Sequence, residues 1–293
     1  MRHIPILNTS DFGFEDKLAE AFQEIGFAAI ENDFGEYEDR GEHIDQGTLI
    51  NAYAAAEHFF GMDKWTKETA IVEDSHGQEG YTRFGTEKAK DQTAPDLKEF
   101  YQIHNNGPYR GPYSQKLHYD LLKNLFNEMN SLALKIMKRL GANVALPCSD
   151  SRLCKIIGYM DERKSILRAI HYPPTGPNPN GMRSAAHEDI NLITLLPAAS
   201  AAGLQVLNRT GEWVDAPTDS NLIIVNVGDM LQEFTNGELK STTHRVVNTE
   251  EGKLKSRYSM PFFFHPKESM VLSDRYTAGS YLDQRLREIG LKK

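Results

Sequence analysis

Two histidines and one aspartate, grouped in two short segments, are the residues of this chain best suited to metal chemistry. His187-Glu188-Asp189 heads the apolar run Ile190-Asn191-Leu192-Ile193-Thr194-Leu195-Leu196, and His244 lies in Ser241-Thr242-Thr243-His244-Arg245-Val246-Val247. Two neutral imidazoles and one carboxylate can occupy one face of a metal and leave the other open, the donor set with which non-haem Fe(II) activates O2. Farther along, Arg257-Tyr258-Ser259 offers a planar guanidinium that matches the far carboxylate of a dicarboxylic co-substrate. Together these residues point to an oxygen-activating enzyme.

A bare His-x-Asp says little, because His43-x-Asp45, His118-x-Asp120 and His187-x-Asp189 all occur. His43 and Asp45 precede a helical stretch and His118 and Asp120 lie inside one, and residues two apart on a helix diverge. Only the third pair opens a strand-like run, where side chains two apart share a face. Glu188 is then expected on the opposite face and outside the ligand set. Each histidine alone reads more readily as a hydrogen-bonded core or surface residue; the set points to a metal. Arg-x-Ser occurs as Arg163-Lys164-Ser165, in a charged turn-like setting, and as Arg257-Tyr258-Ser259 at the head of an apolar strand. A buried arginine there needs an anionic partner.

These residues need a frame to hold them. Residues 1–160 read mainly as helical, with few and short strands. Over 16–26, Leu18, Phe22 and Ile25 share a face that Gly26 ends, and the Ala-rich stretch 45–60 opens on Asp45. From 114 to 140, Leu117, Leu121, Leu125, Met129, Leu132, Ile136 and Leu140 mark one face of a long packing helix that Gly141 would end. From Ser165 onward the pattern changes to short strands at 166–172, 190–196, 204–208, 222–227, 244–248 and 257–264. Turn residues such as Thr235-Asn236-Gly237 and Glu250-Glu251-Gly252 separate them. Many short strands so spaced predict an α+β, mainly β chain with a double-stranded β-helix (jelly-roll) core. A closing helix at 280–290 carries Leu282, Leu286 and Ile289 on one side, and the Pro/Gly-rich loop 173–181 delivers the chain to His187.

At 293 residues the chain can bury a full core. We expect one unit over 1–293, with a helix-rich part at 1–160 and the jelly-roll core at 161–293. A balance of 33 basic against 41 acidic residues, net −8, argues against nucleic-acid or anionic-membrane partners. Cys148 and Cys154 are too few for a disulfide framework, so reduced thiols are expected. Residues 1–10 lack the apolar core of a signal peptide, and no apolar run approaches the ~18 residues of a membrane span. The expectation is a soluble, cytoplasmic protein. Arg83, Arg183 and Arg275 are candidates to receive an acidic substrate, although each reads more readily as a solvated surface residue. Asp229, in Val227-Gly228-Asp229, is a candidate to brace the metal ligands from behind, although it reads more readily as a turn cap.

The chain resembles the isopenicillin N synthase-like branch of the 2-oxoglutarate-dependent Fe(II) oxygenases. In the first half the likeness rests on Ile4-Pro5-Ile6-Leu7, Ile25-Gly26-Phe27-Ala28, His58-Phe59-Phe60, Glu79-Gly80-Tyr81 and Asp96-Leu97-Lys98-Glu99-Phe100. In the second it rests on Leu167-Arg168-Ala169-Ile170-His171-Tyr172-Pro173-Pro174, Gly203-Leu204-Gln205-Val206, Val225-Asn226-Val227-Gly228-Asp229 and Arg257-Tyr258-Ser259-Met260-Pro261-Phe262-Phe263. The resemblance implies Fe(II) held by His187, Asp189 and His244 as the catalytic centre, and 2-oxoglutarate and O2 as co-substrates. It further implies that Arg257, Ser259 and Tyr172 serve the distal carboxylate of 2-oxoglutarate. The implied reaction is oxidation, by default hydroxylation, of a small molecule with release of succinate and CO2. Asp189 in the middle ligand position argues against halogenation. Substrate contacts are implied near Tyr81 and Arg83 and in the C-terminal segment. Oxidases of the same branch keep Arg-x-Ser without consuming 2-oxoglutarate, so that alternative stays open, as does a non-catalytic metal-binding or sensing protein. A zinc hydrolase can use similar donors, but it gives no purpose to a buried arginine.

Overall fold

A computed structural model of the chain describes residues 3–32, 43–75, 77–88, 94–105, 109, 116–142, 156–159 and 164–288. Its strands, in chain order, begin with β1 (Ile6–Leu7), β2 (Phe27–Glu31), β3 (Gly80–Thr82), β4 (Glu99–His104) and β5 (Ile166–Tyr172). β6 (Ser184–His187), β7 (Ile193–Pro197), β8 (Leu204–Leu207), β9 (Trp213–Asp215) and β10 (Leu222–Val227) follow. β11 (His244–Val246), β12 (Arg257–Ser259) and β13 (Phe262–Phe264) come last. A nine-stranded sheet runs β1-β2-β10-β7-β13-β5-β4-β3, with β12 beside β5, and a four-stranded sheet runs β6-β11-β8-β9. Apart from parallel β1–β2, the pairs are antiparallel. This is the expected double-sheet jelly roll.

Every residue of β10 is buried, the mark of a central strand covered on both faces. The outer cover comes from helices. α1 (Phe14–Glu24) buries Phe14, Leu18 and Phe22. α2 (Gln46–Gly61) begins at Asp45, whose carboxylate accepts the Thr48 N–H at 2.7 Å as an N-cap. The short α3 (Lys64–Glu68) follows. α4 (Lys116–Ala142) lies across the large sheet against β4, β5, β7 and β13. Leu125, Met129, Leu132, Ile136 and Leu140 are buried there as the spacing requires, but Leu117 is 65% exposed, so the packing face starts a turn later than expected. The helix also continues through Gly141 to Ala142. α5 (Asp229–Phe234) follows β10, and α6 (Ala278–Glu288) closes the chain. Among the described residues no helix is long and apolar enough to cross a membrane. Cys148, Cys154, Arg163 and Ile289 lie outside the described residues.

Two expected strands are broken. The run 190–196 is irregular up to Leu192, and β7 starts at Ile193. The run 257–264 divides into β12 and β13 at Met260-Pro261, where the Pro261 carbonyl accepts the Arg168 N–H at 3.0 Å. Proline has no N–H to continue a ladder. The last expected strand but one ends at Val246 rather than Asn248. β1 to β4, from the helix-rich first part, join the same large sheet as β5, β7, β10 and β13.

Candidate active site

β6 and β11 pair with His244 opposite His187, so both imidazoles leave one end of the small sheet, ring centroids 4.4 Å apart. Asp189 comes from the turn after β6, not from a strand. The turn is tied to the start of α5: the Asp189, Asn191 and Leu192 carbonyls accept the N–H groups of Asp229, Met230 and Gly228 at 2.8, 3.1 and 2.9 Å. A Cβ on Gly228 would fall 2.1 Å from Asn191 Oδ1 and 2.3 Å from its carbonyl oxygen. Only glycine admits so close an approach. Hydrogen bonds from the start of α5 to this turn, rather than the strand pleat expected from the sequence, hold Asp189 at the side of His187.

One ligand atom from each of His187, Asp189 and His244 lies within 4.8 Å of the others, a group able to hold a metal ion. The Nε2 atoms of His187 and His244 stand 3.9 and 3.6 Å from Asp189 Oδ1. Each ring's Nδ1 faces a backbone carbonyl, Ala185 at 2.7 Å and Thr242 at 3.1 Å. A proton on Nδ1 donates to that carbonyl and leaves the Nε2 lone pair for a metal. The other oxygen of Asp189 accepts the Thr194 hydroxyl at 2.6 Å and the Asn226 amide at 2.9 Å. Burial, and then the neighbouring His244, push the His187 imidazole down to about 4, so it is neutral near pH 7. Burial alone would raise the Asp189 carboxyl, but His244, His187 and its hydrogen bonds hold it below the usual range. Two neutral nitrogens and one anionic oxygen suit Fe(II). Glu188 stays outside the group, accepting the Thr243 hydroxyl at 2.9 Å.

β12 lies beside β5 with Arg257 opposite Tyr172 and Ser259 opposite Ile170. These four residues therefore share a face by strand alternation. Tyr172 and Ile170 pack with Phe100, Val246 of β11 and Leu204 of β8, so that face looks into the space between the sheets. Val246 also shares the His244 face of β11, which puts Arg257 and the metal-binding group on one interior. Arg257 is 2% exposed; its Nε donates to the Ala201 carbonyl at 2.9 Å, and its Nη1 is buried without a partner. Its guanidinium lies 5.1 Å from the Tyr172 ring centre. Burial lowers its pKa, and among the described residues no carboxylate pairs with it. An open, buried guanidinium suits a carboxylate carried in by a ligand.

A cavity of about 340 Å³ adjoins His187 and Asp189 and is walled by Glu87, Lys98, Arg168, Phe263, Leu282 and Arg285, among others. Arg168 is sandwiched between Phe100 (4.2 Å) and Phe263 (5.3 Å) and donates to Gln102 at 2.6 Å and Glu87 at 3.3 Å. Lys98 pairs with Glu87 at 2.7 Å and Asp96 at 2.8 Å. Sequence reasoning missed all three. Arg168 left a trace, a cation sharing the strand face of Ile170 and Tyr172; Glu87, in a polar connecting segment, left none. Tyr81 and Arg83 stand elsewhere: Tyr81 donates to Glu99 at 2.5 Å, and Arg83 pairs with Glu68 at 2.6 Å on the surface. Arg275 is exposed. Arg183, expected at the surface, is 0% exposed. Asp229 is no turn cap but a buried carboxylate 3.1 Å from Arg285, pushed up to about 7 by burial.

A jelly roll with a His-Asp-His group at one end of its smaller sheet, Asp189 and His244 buried and His187 half-buried, defines a class of metal-dependent oxygenases, and similarity to known proteins gives the family. Residues 163–266 match the model of the 2OG-Fe(II) oxygenase superfamily, and 4–123 match that of the N-terminal region of a non-haem dioxygenase in morphine synthesis. A 2-oxoglutarate-dependent dioxygenase of Didymella fabae is 30% identical over 252 residues, 76% of this chain and 73% of that protein. The structure of an oxygenase from Shewanella oneidensis superposes with TM-score 0.79 at 34% identity, covering 98% of this chain and 99% of the other. A full-length Neurospora crassa protein, solved in complex with 2-oxoglutarate, gives TM-score 0.79 at 25% identity over 97% and 95% of the two chains. The chain belongs to the isopenicillin N synthase-like branch of the 2-oxoglutarate- and Fe(II)-dependent oxygenases. It is an oxidoreductase, a dioxygenase that uses Fe(II) and 2-oxoglutarate.

Proposed function

We propose that His187, Asp189 and His244 ligate the Fe(II), and that Arg257, helped by Ser259 and Tyr172, holds the distal carboxylate of 2-oxoglutarate. The observation that carries this is the pairing of two features on one interior: three convergent ligand atoms and a buried guanidinium with an unpartnered Nη1. Bound Fe(II) supplies the coupling of O2 activation to decarboxylation of 2-oxoglutarate to succinate and CO2. The residues of this chain do the rest. Thr194 and Asn226 fix Asp189, backbone carbonyls fix both histidine tautomers, and Arg257 sets the direction from which the co-substrate reaches the metal. The cavity walled by Glu87, Lys98 and Arg168 takes a small molecule for hydroxylation, and Leu282 and Leu286 of α6 shield it from water. The 2-oxoglutarate-using relatives favour this over an oxidase that spares 2-oxoglutarate, which would use the same guanidinium for another carboxylate. Residues 1–160 and 161–293 act as one unit, since Glu87 and Lys98 come from the first and the metal group from the second. The partner is a small metabolite rather than nucleic acid or membrane, in a soluble, cytoplasmic protein.

His187→Ala tests the assignment. It should abolish Fe(II) binding and 2-oxoglutarate turnover while the circular dichroism spectrum and Tm stay close to wild type. Activity that survives the change would remove His187 from the metal site.

A further inference from the structure

Among the described residues, Arg183 heads the fully buried side chains by size, and it lies outside the metal-binding group and the cavity wall. It precedes β6, and its Nη2 spans two loops, donating to the carbonyls of Gly252 (3.1 Å) and Lys255 (2.8 Å), with Pro173 at 3.5 Å. The first loop follows Tyr172; the second leads into Arg257. Nε and Nη1 of Arg183 are buried without partners, and among the described residues no carboxylate lies within ion-pair distance, Glu251 acting only from farther off. The guanidinium lies 5.9 Å from the centre of the Tyr172 ring, which also faces Arg257 at 5.1 Å. Two buried cations therefore flank one tyrosine. Burial lowers the proton affinity of both, and Arg257 lowers that of Arg183 further. Uncompensated positive charge in a desolvated interior is unfavourable unless an anion joins it. The fit at Arg183 is also tight: a Cβ on Gly252 would fall 2.9 Å from Cζ and Nη1 of the guanidinium.

We propose that Arg183 is a positioning residue for the co-substrate: it fixes the segment that carries Arg257 and adds a second positive charge at the end where the distal carboxylate of 2-oxoglutarate binds. Arg257 makes the contact and Arg183 acts through it. The proposal rests on Arg257 being that anchor. Its consequence is selective, because only a 2-oxo acid with a distal carboxylate uses this end of the site.

The test is equilibrium binding of 2-oxoglutarate and of 2-oxovalerate, which has a methyl in place of the distal carboxylate, to anaerobic Fe(II)-loaded protein by calorimetry. Arg183→Met should weaken 2-oxoglutarate by about tenfold, through loss of the second positive charge and of the fixed Arg257 segment, and leave 2-oxovalerate within about twofold. Arg183→Lys should recover part of the loss, and Gly252→Ala, which displaces the guanidinium without removing it, should reproduce part of it. Equal effects on both acids, or none on either with only a lower Tm, would overturn the proposal and leave Arg183 a loop staple. If Arg183→Met does not fold, the Lys and Gly252→Ala variants decide by the same selectivity. Arg257→Met separates the two layers: should it fail to discriminate between the acids, the anchor assignment itself falls.

Discussion

Glu87 shows how single residues on the cavity wall are held against their own tendencies. Burial would raise its carboxyl, but Arg168 and Lys98 beside it hold it at about 2, against an ordinary 4.5. The unfolded chain therefore takes up this proton as pH falls through about 4.5, and the folded chain only near 2. The native state is favoured above that window and loses the contribution as pH falls through it. Glu87→Gln should flatten the acid limb of a urea-unfolding series between pH 5 and 3. At neutral pH it should cost about 3 kcal/mol, because buried Lys98 and half-buried Arg168 lose a partner. An acid limb as steep as wild type would show that Glu87 is not held ionised by this pair. Residue identities were legible where chemistry constrained them: His187, Asp189 and His244 converge, and Arg257 is buried beside Tyr172. Arg183 was misplaced because a lone arginine among small residues carries no signature of burial; only the fold that closes 173–183 onto 248–255 buries it.

Among the elements, the turn between β6 and β7 decides the site more than any strand. Its carbonyls are tied to the α5 N–H groups, and Gly228 sits against Asn191 with no room for a side chain. Gly228→Ala should push the turn away and cost about 2 kcal/mol or more by overpacking. Fe(II) affinity should fall further than stability alone explains, because Asp189 moves with the turn. Metal titration beside thermal unfolding checks this; unchanged affinity in a destabilised variant would mean that the turn does not position Asp189. Periodicity foresaw 166–172 and 222–227 as strands because long apolar runs leave few other options. It could not foresee the break before Ile193, where the Asn191 amide donates to the Thr194 hydroxyl at 2.8 Å and the chain curls on local polar bonds.

At the scale of the whole molecule, strands from both halves of the chain build one large sheet, and a terminal helix completes the cavity. The jelly roll was legible from many short strands with turn residues between them. The contribution of β1, β2, β3 and β4 was not, since two- to six-residue strands among helices give little pattern. α6 places Leu282, Arg285 and Leu286 on the cavity wall and is fixed to the metal turn through Arg285 and Asp229. Replacing Leu282 and Leu286 with Ala, which keeps Arg285 against Asp229, should leave Fe(II) and 2-oxoglutarate binding in place but admit water, so that succinate forms in excess of oxidised substrate. Coupling as tight as wild type in that variant would deny α6 this role. A metal at His187, Asp189 and His244, with 2-oxoglutarate reaching it from Arg257, is tested most directly by anaerobic titration. Fe(II) and then 2-oxoglutarate are added to wild type and to Arg257→Met while the visible charge-transfer absorption is followed. A band in wild type that needs about tenfold more 2-oxoglutarate in the variant is the predicted result. Bound Fe(II) with no band, or a band indifferent to Arg257, would contradict it.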